Sequence, residues 1–443
     1  MASNSTVLKK DSRRDSLKPV SNNDRIFGFW SYFTFWISST IVIQLFIVGQ
    51  GFVPPIGQLN ILQATVASVV STLIVALMYI INSDAGLRYG IPFIVHARSA
   101  FGFHGARIAS LIRVLPAVIW YGIGSWIGAD AAGYIVNLIW GVEMTGILFV
   151  GFVVLQIGLT YYGIETAKWF NSSLSVVVLG FLIYLISRYV SVGGADILNH
   201  VGSGGTWGMP FFAAITAAVG ILLTGAVNIA DLTRYLKPTK LNNWGGHMLG
   251  IVPMYLLLLF SGMFATIVTE ISNPIAAMVY VIPNDFVAIV FLLFIIVAQV
   301  TTNLTLNIIP PAVVLMETFN VRWGLAAIIV GLLGVVTFPW LLIDNAAFNA
   351  LIGIYSAFLG PLFGVMLADY FLVRKTKLNI DELYDPNIKY KWLGFVALII
   401  GGIFGIMFLS ISWMVGLPIS ALAYWVGNKI FPQVQHDTLE KAQ

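Results

Sequence analysis

An apolar run that begins near Phe286 ends in the segment TTNLTLNIIPP, Thr301 to Pro311. Gln299, Asn303 and Asn307 recur every four residues and so share one helix face, while Thr301 and Thr305 line the adjacent face. A polar side chain surrounded by hydrocarbon is costly unless a neighbouring helix or a ligand uses it. A lone asparagine is ordinary glue between helices, but three amides with paired hydroxyls exceed what glue requires and point to a solute or ion site. Pro310 and Pro311 then end or kink the helix. Further upstream, RVLPAVIWYGIGSWIGADA (Arg113 to Ala131) places Trp120 and Gly124 on one face, a flat aromatic beside a gap, and a tryptophan face stacks on planar rings. A position in an interfacial belt suits Trp126 or Trp140 better than Trp120. Asp130 is a carboxylate inside the same span: it is a proton-coupling candidate, or it lies close enough to the outer surface to be wet, and both readings stay open. SSTIVIQ (Ser38 to Gln44) and VGILLTGAVNIADLTRY (Val219 to Tyr235) mix hydroxyls and glycines in two further apolar runs. Such places interrupt helices, and matching interruptions in two halves of a bundle mark a transporter's central site. Small residues that merely let helices approach closely are the alternative.

These residues must be held by membrane helices. Of 443 residues 58% are hydrophobic and 9% charged, where a soluble domain carries about 25% charged residues. The fold class is an all-α integral membrane protein with twelve spans, at about residues 27–52, 60–83, 108–138, 145–163, 170–188, 209–230, 246–270, 284–312, 323–341, 346–371, 393–412 and 413–431. Loop charge supports that count. With the N-terminus inside, nearly all Lys and Arg fall on the cytoplasmic side and only Arg188 on the other, which puts both termini in the cytoplasm and the protein in the plasma (inner) membrane as a multi-pass chain. The first apolar segment lacks a cleavage site and reads as a span, not a signal peptide. Residues 1–26 read as a disordered cytoplasmic tail and 432–443 as a cytoplasmic C-terminal tail. The net charge of +4 reflects topology, so no nucleic-acid partner is implied; there is no cysteine, and the five histidines show no metal-site spacing. No nucleotide motif and no nucleophile with a base is present, so an enzyme is not expected. A channel lacks its filter motif, and a transporter-like receptor lacks a signalling domain.

Five ordered motifs carry a resemblance: HARSAFGFHGARI, WYGIGSWIGA, NIADLTRYLKP, TTNLTLNIIPP and GPLFGVMLADYFLVRK. From about residue 27 to 430 the chain resembles the nucleobase-cation symporter-1 family, which carries hydantoins, cytosine, uracil and allantoin. The resemblance implies a LeuT-type fold: a first repeat over 27–188, an inverted second repeat over 209–371, both with a broken first helix, and two additional helices over 393–431. It implies cation-coupled import of a planar nitrogen heterocycle or ureide, with no cofactor and sodium or a proton as the coupling ion. The adjacent hydroxyl pair matches Thr301 and Thr302, the carbonyl one turn earlier matches Ala298, and first-helix carbonyls near Ser38 and Ile41 would complete a shell of hard oxygens suited to sodium. The stacking tryptophan matches Trp120 and the substrate amide Asn307, with Asn303 and Gln44 as further amides. Two positions depart: Gly124 replaces a glutamine and Leu222 an aromatic. A larger ligand filling the space at Gly124 is one reading, which would suit a proton-coupled permease for a vitamin precursor or nucleoside; an amide supplied by Gln44 is another. The chain is expected to function as a monomer in the lipid bilayer.

Overall fold

The computed structural model describes residues 17–432, apart from 163–164 and 203. Among these, eight helices are long and apolar enough to cross a membrane, and Phe29–Ser39 with Ile43–Gln50 forms a further span bent by 54°. Shorter apolar helices at Thr145–Thr160, Trp323–Val336 and Trp392–Met407 stand where the fourth, ninth and eleventh spans are expected. The fifth helix, Glu165–Asn199, reaches beyond its expected end at 188 and kinks at Gly193. The short helices between spans include Phe93–Phe101 after the second and Pro274–Tyr280 after the seventh.

The first helix breaks at Thr40–Val42, inside an otherwise apolar stretch. The sixth differs from expectation: it runs unbroken from Met209 to Val227 and stops at Asn228, with a single turn, Ala230–Thr233, beyond. Its carbonyls are nevertheless covered from outside. The Tyr79 hydroxyl donates to Leu222 O at 3.0 Å, that of Tyr355 to Gly220 O at 3.0 Å and that of Tyr255 to Ala218 O, while Asn82 Nδ2 donates to Ala226 O and Val227 O. Hydrogen bonds beyond the helical ladder let backbone open locally at depth.

Packing divides the bundle. Val114, Tyr121, Ala129, Phe149, Phe152, Leu304, Ile308 and Val330 form one buried cluster of the third, fourth, eighth and ninth helices. The first, second, sixth, seventh and tenth helices contribute to a second, larger one. Glycines permit the close crossings: a Cβ on Gly122 would stand 2.5 Å from the Gly334 carbonyl, and one on Gly128 would strike the Phe152 ring.

Basic residues gather at one end of the bundle, where they are bonded. The tail expected to be disordered lies outside the described residues as far as residue 16, but residues 17–26 pack onto this end. Arg25, buried, donates to the Leu87 and Leu236 carbonyls at 2.7 and 3.0 Å, and Val20 N–H donates to Gly90 O. Phe27 bridges to the segment after the sixth helix, bonding Tyr235 O and Lys237 N–H and so joining the start of the first helix to the chain that follows the sixth. Arg374 closes the same end: it pairs with buried Asp369 at 3.0 Å and with Glu382 at 3.1 Å and donates to Ser99 O, while Lys391 pairs with Glu382 at 2.5 Å and Tyr424 donates to Asp369. Burial pushes the Glu382 carboxyl up, but the hydrogen bonds and charges of Arg374 and Lys391 outweigh it and hold the group below its ordinary value.

Removing one member of a buried ion network strands the others, at about 3–5 kcal/mol. Arg374→Met is therefore expected to lower the melting temperature of the purified protein sharply, and an unchanged value would show that the network adds nothing. Because the folded-state value of Glu382 is depressed, its stabilisation is present above the ordinary glutamate range, about 4.3, and is lost as pH falls through the folded value. A pH series of melting temperatures should show that acid decline, and Glu382→Gln should flatten it.

Candidate functional site

The eighth helix runs as an α-helix from Asp285 to Thr302, widens into π-helical geometry over Asn303–Ile308 and resumes at Ile309–Phe319. The prolines account for the change. In an α-helix the N–H groups of residues 310 and 311 would bond the carbonyls of Leu306 and Asn307, and proline has none to give. The Leu306 carbonyl instead accepts from the buried Arg113 guanidinium at 3.4 Å. Single π turns of this kind re-aim side chains at functional sites.

Asn303 opens this turn, and its side chain is fully engaged. Its Nδ2 donates to the Tyr121 carbonyl at 3.2 Å and to Ser125 Oγ at 3.3 Å, both on the third helix, and its Oδ1 accepts from Asn307 Nδ2 at 2.9 Å. Gln156 on the fourth helix also donates to Ser125 Oγ, at 2.9 Å. The space expected at Gly124 is filled by this carboxamide: a Cβ on Gly124 would lie 2.5 Å from Asn303 Oδ1 and 2.9 Å from Nδ2. Gly124 thus opens no room for a larger solute; it admits an amide from the eighth helix in place of one on the third.

Trp120 stands one turn before Gly124, buried, its indole N–H without an acceptor among the described residues. The aromatic partner missing at Leu222 comes from the tenth helix: Phe348 and Tyr355 meet Trp120 edge-on at 5.5 and 5.9 Å. Leu222 itself is buried and bonded through its carbonyl to Tyr79. Gln44 is buried just after the first-helix break with its Oε1 unpartnered. A cavity of about 440 Å³, lined by Thr216, Asn349, Ile352 and Ser410 among others, enters from the end opposite the basic cluster. Ile352 packs against Gly220, the residue whose carbonyl holds Tyr355, so the vestibule ends next to the aromatic cluster.

At the break, Ser39 and Ile41 carbonyls accept no backbone hydrogen bond, and the Ser39 and Thr40 hydroxyls are buried without partners. The Ser38 carbonyl accepts from Ile41 N–H at 3.2 Å, a hydrogen bond that leaves its second lone pair, and the Ser38 hydroxyl donates to Phe35 O. Ile41, Ile43 and Ala298 line one small cavity, which puts the break beside the eighth helix. There Thr301 Oγ1 donates to Ala298 O at 3.0 Å, and the adjacent Thr302 is buried. Any helical threonine can bond back to its own turn; what distinguishes this one is that its turn, at Ala298, lies beside the first-helix break. Asp130 is not part of this group. Its Oδ2 accepts from Asn273 Nδ2 at 2.9 Å, tying the third helix to the short helix Pro274–Tyr280 that Asn273 caps. Phe348, Tyr355, Ser125 and Gln156 were not foreseen, although the seven-residue spacing of Phe348 and Tyr355 places both on one helical face.

A helix broken inside the bundle beside a polar neighbouring helix is the arrangement of a secondary transporter. The chain belongs to the family of permeases for cytosine and purines, uracil, thiamine and allantoin, whose model matches residues 19–427. The allantoin permease of Bacillus subtilis is 28% identical over 97% of this chain and 96% of its own, and the hydantoin permease of Microbacterium maritypicum 29% over 85% and 79%. A nucleobase-cation-symport-1 family transporter, solved in a closed conformation with bromovinylhydantoin bound, matches with a TM-score of 0.80 at 26% identity over 95% of this chain and 97% of that one. Its inward-facing structure matches at 0.82, over 95% of each chain. A sodium-coupled sialic acid symporter, 12% identical with a TM-score of 0.62, shares the fold alone. The fold is of the LeuT type, as the motifs implied.

Forcing a side chain into the occupied slot tests its contents. Gly124→Ala should cost about 1–3 kcal/mol through overpacking, and Asn303→Ala in the same chain should relieve that cost. A double-mutant cycle on thermal stability reads the coupling, expected to exceed about 0.5 kcal/mol; equal Gly124→Ala penalties with and without the Asn303 amide would show the slot to be empty.

Proposed function

We propose that this permease imports a planar nitrogen heterocycle or ureide together with sodium, by alternating access across the plasma membrane, with both termini in the cytoplasm. The observation that carries the reading is the placement of a buried tryptophan and an amide, Trp120 and Asn307, on the two helices that flank a break with uncommitted oxygens. Trp120 stacks on the ring and Asn307 hydrogen-bonds its edge. The carbonyls of Ser38, Ile41 and Ala298 with the hydroxyls of Thr301 and Thr302 hold the ion. The relatives named for allantoin and hydantoin, and the family's range of cytosine, purines and uracil, support a solute among small cyclic ureides and nucleobases.

Coupling follows from position. An ion shared by the first and eighth helices fixes one group of helices against the other and holds the solute site open to the vestibule. By linkage, solute bound there raises ion affinity by the same factor. Sodium is favoured over a proton because the hydroxyl pair is buried beside the break, whereas Asp130 is committed to Asn273 at the other end of the third helix.

A thermal-shift screen of the purified protein against hydantoins, allantoin, pyrimidines and purines, in sodium and in choline, tests solute and ion together, since ligands of the folded state raise its apparent stability. Greater stabilisation in sodium is expected; none by any heterocycle in either salt would refute the solute class. In the same assay Thr302→Ala should abolish the sodium advantage while leaving the protein folded. Trp120→Ala should weaken solute binding by about 1–3 kcal/mol, the scale of base stacking on an aromatic side chain; unaltered affinity would remove Trp120 from the site.

A further inference from the structure

Resting on the reading just given, we propose that the Tyr121 carbonyl, acting through Asn303, fixes which way round the Asn307 carboxamide faces the solute, so that Asn307 presents its oxygen and selects rings that offer an N–H. A carboxamide has a donor end and an acceptor end of nearly the same shape, and its orientation is set by its partners. The partners here leave one solution. Ser125 Oγ donates its only hydrogen to Tyr121 O at 2.7 Å. Both atoms facing the inner end of Asn303 are then pure acceptors, the Tyr121 carbonyl and the Ser125 oxygen, so that end is the NH2 group. Gln156, which donates to the same Ser125 oxygen, holds it as an acceptor. Asn303 therefore turns Oδ1 toward Asn307, and Asn307 answers with Nδ2.

The outward end of Asn307 is consequently its carbonyl oxygen, with one N–H left beside it. Reversing either amide would set oxygen against oxygen, at Tyr121 O for Asn303 or at Asn303 Oδ1 for Asn307, a mismatch that such a network does not tolerate. Asn303, Ser125 and Gln156 are positioning residues; Asn307 is the group that touches solute. The relay depends on Gly124, since any side chain there would displace the Asn303 amide that transmits the orientation. A ring lactam or ureide N–H satisfies the Asn307 oxygen, and methylation of that nitrogen both removes the hydrogen and adds bulk against an acceptor.

The experiment measures binding to the full-length protein in sodium with hydantoin, uracil and allantoin as parents, and with the singly N-methylated hydantoins and uracils. Wild type is expected to bind at least one of these two methylatable rings and to bind one of its N-methyl isomers at least tenfold more weakly. In Asn303→Leu, which frees Asn307 to rotate, that ratio should fall below about threefold, and in Ser125→Ala it should fall between the two. Sodium-dependent thermal stabilisation, read on the same samples, confirms that each variant is folded and keeps its ion site. A ratio unchanged in a folded Asn303→Leu, or a wild type indifferent to N-methylation at every position, would overturn the relay and leave the transport reading standing. Failure of wild type to bind any parent would overturn both.

Discussion

A main-chain carbonyl inside a membrane needs a hydrogen-bond donor, and the positions where this chain supplies or withholds one organise the rest of the structure. Two prolines withhold donors from the eighth helix, and Arg113 reaches in to serve the Leu306 carbonyl. Three tyrosines and Asn82 serve five carbonyls of the sixth helix, which remains helical through Val227. At the first-helix break the Ser39 and Ile41 carbonyls are left unserved by backbone, and Ile41 shares a small cavity with Ala298 of the eighth helix. The break is thus where the backbone accounting of the fold fails to close, and it is there that the proposed ion would supply what no donor does.

The two ends of the molecule are built differently. At the basic end, Arg25, Arg374, Asp369, Glu382 and Lys391 knit the N-terminal segment, the helix Phe93–Phe101 and the tenth-helix terminus into one bonded layer. At the other end the cavity walled by the first, sixth and tenth helices lies open. Charge that sets topology during insertion is thus reused as a fastening, with guanidinium groups taking main-chain carbonyls as well as carboxylates.

Much of this was legible in the sequence, and for physical reasons. Hydropathy reveals spans because every crossing must bury its own backbone bonds, and the amides and threonines of TTNLTLN stand out because hydrocarbon makes polar side chains expensive. What was not legible concerns complementarity between distant segments. Gly124 looked like a gap because a sequence displays one helix at a time; the filler, Asn303, lies on another helix. Leu222 looked like a lost aromatic, yet Phe348 and Tyr355 bring two rings to Trp120 from the tenth helix. The polar tail looked wholly unstructured by composition, although Arg25 finds two carbonyls that no local pattern announces. The break in the sixth helix was expected from its glycines, but side-chain donors on the second, seventh and tenth helices decide where that helix ends.

Tyr355 joins two of these features in one side chain, its ring against Trp120 and its hydroxyl on the Gly220 carbonyl. Ring and hydroxyl sit on one rigid phenol, so a displacement of the tenth helix large enough to part Tyr355 from Trp120 also strips the Gly220 carbonyl of its outside donor, and the aromatic packing and the backbone of the sixth helix loosen or tighten as one.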